Sequence, residues 1–161
     1  MTSTGTVGGK VRVGDVAPDW TLPDKDGRSV RLADLLGSQA VVLFFYPKAN
    51  TGGCTAQACA FRDSYEVFKI AGAEVVGISG DDQATLTDFA ARNKLPFPLL
   101  SDRDNAVRKR YGATAMLGLI AGRVTYILDK HGVVRHVFQS QLQPEKHVAE
   151  ALRVLDELRG E

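Results

Sequence analysis

Apolar residues along this chain fall in runs whose spacing changes from place to place, and the changes mark the elements. The run at 40–46 (AVVLFFY) is continuous, rich in Val and Phe, and stopped by Pro47. Its length and composition predict a strand buried on both faces. The run at 73–79 (AEVVGIS) predicts a second. Between them Ala58, Phe61, Tyr65 and Phe68 recur at spacings of three and four, which predicts one helix over 54–70. Further helices are expected at 82–92, with Leu86, Phe89 and Ala90 on one face, and at 105–111. A last helix should start at about Pro144, with Val148, Leu152, Leu155 and Leu158 on one stripe. Residues 14–23 read as a turn and a short extended segment. Residues 27–32 alternate as a half-buried strand does, and 97–100 form another short strand. Strands at 123–129 and 133–139 are joined at Lys130-His131-Gly132, a hairpin signal. Alternating strands and helices with a late hairpin imply an α/β fold, a mixed sheet covered by helices on both faces.

Length adds one constraint. At 161 residues there is room for one domain, expected over 10–161 behind a flexible tail at 1–9. That tail has no basic start and no apolar stretch, unlike a secretory signal. The longest apolar run is seven residues, against about 20 for a spanning helix. The expectation is a chain with no membrane span and a cytoplasmic location, the plastid staying open if the chain is a processed form. Twenty basic residues against nineteen acidic ones leave +1, which argues against a nucleic-acid partner. The two cysteines are too few for a disulfide scaffold or a four-ligand zinc site.

The candidate chemistry lies at the strand-to-helix junction FFYPKANTGGCTAQAC. Pro47 ends the strand, Thr51 and the glycines at 52 and 53 make the turn, and Cys54 falls in the first helical turn. A thiol there meets unpaired backbone N–H groups and the positive end of the helix dipole, both of which favour the thiolate. Gly-Gly-Cys at a helix start is also a poor place to hide a side chain, so an accessible thiol is expected. Cys59 lies five residues on. In an intact helix the two Cα atoms are about 8.6 Å apart and about 140° around the axis, beyond the roughly 4.4–6.8 Å of a disulfide. Cys59 is therefore either core filler or a redox partner reached by local unwinding. The short or polar Thr55, Ala56, Gln57 and Ala58 offer few anchors against unwinding.

Other residues weigh less. His131 in the hairpin turn and His147 near a helix start are expected to be solvated, which disfavours a Cys–His hydrolase. His131 and His136 lack a third metal ligand nearby. Arg108-Lys109-Arg110 reads as a solvated helix face balanced by Asp102 and Asp104. Trp20, Phe44 and Phe45 read as core. A non-enzymatic redox sensor built on the same cysteine is a further alternative.

Pro47, Thr51 and Cys54 match the motif P-x-x-x-T/S-x-x-C, and the sequence resembles the peroxiredoxins. The spacing from Cys54 to Cys59, followed by Phe61-Arg62-Asp63, resembles the bacterioferritin-comigratory or Q-type subfamily. The resemblance runs through Ala17-Pro18-Asp19, Gly77-Ile78-Ser79, residues 97–102 and Gly122-Arg123, covering roughly residues 10–159. It implies a thioredoxin-like fold and a peroxidase acting on hydrogen peroxide and organic hydroperoxides. Cys54 would be the peroxidatic cysteine and Cys59 the resolving cysteine, joined as a disulfide after turnover. Thr51 would supply a hydroxyl, Pro47 would shield the pocket, and Arg123 would add a guanidinium from a distant strand. Backbone N–H groups near Gly53 and Cys54, with Thr51 and Arg123, would bind the peroxide. The sulfenic acid formed at Cys54 would condense with Cys59. A thioredoxin-like dithiol donor would recycle the disulfide, with no metal or organic cofactor and with the chain a monomer. Gly52 stands where the family commonly has proline, which widens the backbone's freedom. Gln57 stands where glutamate is frequent, which removes one negative charge.

Overall fold

The computed structural model describes residues 11–115, 120–140, 143 and 145–159. Along them run β1 (Thr21–Pro23), β2 (Ser29–Arg31), α1 (Leu32–Leu35), β3 (Ala40–Phe45), α2 (Gly52–Asp63), α3 (Tyr65–Ile70), β4 (Ala73–Ser79) and α4 (Gln83–Asn93). There follow β5 (Leu99–Ser101), α5 (Ala106–Tyr111), β6 (Thr114–Ala115), β7 (Ile120–Ala121), β8 (Val124–Leu128), β9 (Val134–Gln139) and α6 (Lys146–Arg159).

The continuous apolar run at 40–46 serves two cores at once. Val42, Phe44 and Tyr46 enter one, while Val41, Leu43 and Phe45 enter the other, as the two-residue period of a strand requires. β3 is accordingly central in the five-stranded sheet, whose order is β5-β4-β3-β8-β9. It pairs in parallel with β4 and antiparallel with β8, so the sheet is mixed. Phe61 from α2, Leu86 and Phe89 from α4, and Val148, Ala151 and Leu155 from α6 close the first core. Leu32 from α1, Val107 and Tyr111 from α5, and Trp20 from the N-terminal segment close the second. Helices cover both faces, in agreement with the thioredoxin-like expectation, and Trp20, Phe44 and Phe45 are core.

Several elements differ from the sequence reading. The helix expected over 54–70 is two helices that meet at Ser64, where φ −106° and ψ 8° break the path. The apolar spacing runs on through the break because Phe61 and Phe68 pack on each other, with centroids 5.6 Å apart, in the same core. The glycines at 52 and 53 do not form the turn; they are the first residues of α2, and the turn before them uses Asn50 at φ 62°. The strand expected over 27–32 is only three residues, after which the chain enters α1. The two-residue strands β6 and β7 are too short to leave a period. The tail at 1–9 and Pro144 lie outside the described residues. Arg108 and His147, expected in solvent, are buried. No helix among the described residues is long and apolar enough to cross a membrane.

Candidate active site

The junction forms where β3 ends and the chain turns over 46–51 into α2. Two polar groups hold that turn. The Asp81 carboxylate accepts from the Ala49 N–H at 2.8 Å and from the Ser79 hydroxyl at 2.7 Å. The Thr51 hydroxyl donates to the Lys48 carbonyl at 2.8 Å. Thr51 is the N-cap of α2, with an extended backbone, and its carbonyl receives the Thr55 N–H at 2.9 Å. Gly52, Gly53 and Cys54 precede that first helical bond, so their N–H groups belong to the set a helix leaves for caps, water or anions. Pro47 is half-buried beside the turn.

Cys54 is buried, only 1 % exposed, against the expectation of an accessible thiol. As the third residue of α2 it faces the sheet and shares the first core with Tyr46, Ala49, Ala58 and Phe61. Cys59 is half-buried on the same helix, and its thiol lies 3.6 Å from the Asn93 side-chain oxygen at the end of α4. Both thiols are free. They share an unbroken α2, the arrangement in which helix geometry keeps them about 8.6 Å apart at Cα. The segment between them is better anchored than its sequence indicates: Gln57 and Ala58 are wholly buried. Arg62 adds a tie, donating to the Asn93 carbonyl at 2.8 Å.

Arg123 arrives from just before β8, 66 positions from the residue it meets. Its Nη1 donates to Gln57 Oε1 at 2.7 Å. Its Nη2 lies 2.8 Å from where a β-carbon on Gly53 would stand. The guanidinium therefore spans the first and second turns of α2, with Cys54 between its two points of contact. Gly122 is glycine for a related reason, since a β-carbon there would lie 2.9 Å from the Thr114 carbonyl carbon.

One further arginine belongs to this framework. Arg108 donates through Nη2 to the Tyr46 carbonyl at 2.5 Å, and through Nη1 to the Gly122 carbonyl at 2.5 Å and the Ala113 carbonyl at 3.0 Å. One planar fork thus joins the end of β3 to the residue before Arg123. Burial lowers the Arg108 pKa, and the Asp102 carboxylate opposes that shift. Its triplet of basic residues carries no mark that separates it from a solvated face. Val107 and Tyr111, both buried, keep the regular four-residue spacing of one helix face and give no sign that position 108 also turns inward.

The histidines give no base for the thiol. His131 is exposed, and His136 pairs with Glu150 at 2.9 Å. His147 sits between Thr125 and Ser140. The Ser140 carbonyl can only accept, so Nε2 carries the proton, and Nδ1 accepts from the Thr125 hydroxyl at 2.7 Å. Burial pushes its pKa down to about 4, with the Arg123 charge adding to that and the Ser140 carbonyl opposing it.

The sequence model described as AhpC/TSA family matches residues 13–137. The chain belongs to that family. Its relatives place it among the Q-type peroxiredoxins: it is 54% identical over 157 residues to the chloroplastic peroxiredoxin Q of Triticum aestivum, covering 97% of this chain and 72% of that one. The chloroplastic peroxiredoxin Q of Arabidopsis thaliana is 54% identical over 152 residues, with 94% and 70% covered. Among solved structures, the peroxidoxin BcpB of Mycobacterium tuberculosis superimposes with a TM-score of 0.86 at 38% identity, over 92% of this chain and 98% of that one. A Xanthomonas campestris peroxiredoxin Q gives 0.78 at 28% identity, over 86% and 90%. The chain is a thiol peroxidase acting on hydroperoxides, with a thioredoxin-like fold. A cytoplasmic location finds no support among these relatives, since both plant proteins are named as chloroplastic.

Proposed function

We propose that Cys54 is the peroxidatic thiol, that Cys59 resolves it within the same helix, and that a thioredoxin-like dithiol donor recycles the pair. The observation that carries this reading is the placing of Arg123 across the first two turns of α2, around Cys54. A thiolate at Cys54 attacks the terminal oxygen of the peroxide. Negative charge then grows on the leaving oxygen, which Arg123 and the N–H groups of Gly53 and Cys54 are suited to stabilise. Pro47 narrows the approach. The Thr51 hydroxyl has its one proton committed to Lys48, so in the reduced protein it holds the turn, and it turns to a peroxide only by releasing that carbonyl.

Resolution requires α2 to open. The contacts that must yield are backbone bonds of α2 between the two cysteines, the Gln57–Arg123 bond and the Cys59 contact to Asn93. Each bond contributes about 0.5–1.5 kcal/mol net, so opening costs a few kcal/mol, within reach of sulfenic acid condensation. The monomeric state belongs to the same reading, as does the plastid location carried by the relatives' names. The test is peroxide consumption coupled to a thioredoxin. Cys54→Ser should abolish it. Cys59→Ser should consume one equivalent and stall as a sulfenic acid. Undiminished turnover in Cys59→Ser would move resolution to the donor itself.

A further inference from the structure

Gln57 is wholly buried one turn after Cys54, and one half of its amide is engaged while the other is not. Oε1 accepts from Arg123 Nη1 at 2.7 Å. An arginine can only donate, so the amide cannot be turned over, and the two N–H groups are held on the other side. Among the described residues Nε2 has no hydrogen-bond partner. Buried polar groups are almost always satisfied, and the exceptions call for an explanation. Residues three apart on a helix are neighbours on one face, so this idle donor shares the face of Cys54. Arg123 approaches the same two turns from the side.

From this geometry we infer that the Gln57 amide is a catalytic hydrogen-bond donor, whose N–H is filled by the leaving oxygen of the peroxide. The inference rests on Cys54 being the attacking thiol. In the step, the sulfur of the thiolate forms a bond to the terminal OH of ROOH and the O–O bond breaks. Sulfur is oxidised by two electrons, the peroxide is reduced, and RO⁻ leaves to take a proton from water. Gln57 moves no proton; it meets charge that grows on the leaving oxygen. This role suits an amide and not a carboxylate. Glutamate would hold Arg123 equally well, yet it would offer no donor and would set a negative charge beside the thiolate. Once RO⁻ has left, the amide N–H is idle again, and its oxygen stays bound to Arg123.

The test uses Gln57→Glu, which keeps the acceptor for Arg123 and removes the donor. Peroxide reduction and alkylation by iodoacetamide are both followed over the same series of pH values, so that a change in the thiolate fraction moves the two reactions alike. The expected result is a peroxide step slower by roughly tenfold or more, with alkylation within about twofold of wild type, because alkylation builds no charge on an oxygen. If the glutamate variant does not fold, Gln57→Met is compared with wild-type Gln57 in an Arg123→Met background, where a further selective loss of the peroxide step is expected and no further loss would overturn the inference. Peroxide reduction at the wild-type rate, or equal slowing of both reactions, would overturn the inference. Peroxide reduction surviving in Cys54→Ser would instead overturn the assignment of the nucleophile.

Discussion

Gly53 and Arg123 fit each other so closely that the glycine's missing side chain is where the guanidinium sits: a β-carbon on Gly53 would stand 2.8 Å from Arg123 Nη2. The obstructing atom is the end of a flexible side chain, so the arginine can move aside at little cost to folding. Alanine in a helix is also better than glycine by about 0.5–1 kcal/mol. Gly53→Ala should therefore unfold at the wild-type urea concentration or slightly above it, while reducing peroxide roughly tenfold or more slowly, since losing one placed donor costs on that order or greater. Urea titration and rapid peroxide kinetics on one preparation separate the two effects. Wild-type kinetics would show that Arg123 acts from elsewhere.

Arg108 should behave in the opposite way, affecting folding and rate together. Arg108→Lys keeps a charge but cannot reach the Tyr46, Ala113 and Gly122 carbonyls with one fork. Leaving a buried carbonyl without a donor costs about 1–3 kcal/mol. The variant should lose about 2 kcal/mol in urea unfolding and slow the peroxide step, because the end of β3 and the residue before Arg123 lose their common tie. Unchanged stability would mean that lysine or water satisfies these carbonyls.

An added β-carbon on Gly52 would meet nothing within 4 Å, and Gly52 is the first residue of α2. Proline is favoured at that first helical position, and Thr51 before it already has the extended φ −97° and ψ 157° that a following proline requires. Gly52→Pro should raise stability by about 0.4–1 kcal/mol by restricting the unfolded chain. It should leave the peroxide step near the wild-type rate and slow formation of the Cys54–Cys59 disulfide, which needs the same turn to open. Stopped-flow traces of the two phases check this; equal slowing of both would deny that resolution needs this turn to open.

His147 makes stability depend on pH. Its pKa is about 4 in the fold and about 6.5 unfolded, so between those values the unfolded chain binds a proton that the folded one does not. Stability rises with pH there. The contribution is complete above about pH 6.5 and is lost as pH falls towards 4, for roughly 3 kcal/mol at most. Urea midpoints should fall from pH 7 to pH 5 in wild type and fall less in His147→Gln. Parallel curves would place the pH dependence in other groups.

What the sequence revealed and concealed follows from range. β3 and β4 were legible because a strand buried on both faces writes itself as an unbroken apolar run, and the place of Cys54 in the first turn of α2 because the junction's signals are local. The break at Ser64 was not legible, because Phe61 and Phe68 keep the helical spacing across it. Arg108 looked solvated because its partners are backbone carbonyls up to 62 positions away. The burial of Cys54 was likewise hidden, since it depends on α2 packing against core residues that are distant in the chain. The pairing of Gln57 with Arg123 joins two residues that no local pattern relates.

The assignment of Cys54 as attacker and Cys59 as resolver is tested most directly by adding one equivalent of hydrogen peroxide to the reduced protein and mapping its peptides by mass. The predicted result is a single Cys54–Cys59 disulfide in wild type, a sulfenic acid on Cys54 in Cys59→Ser, and no rapid oxidation in Cys54→Ser. Rapid oxidation of Cys59 in Cys54→Ser, with Cys54 untouched in Cys59→Ser, would contradict it.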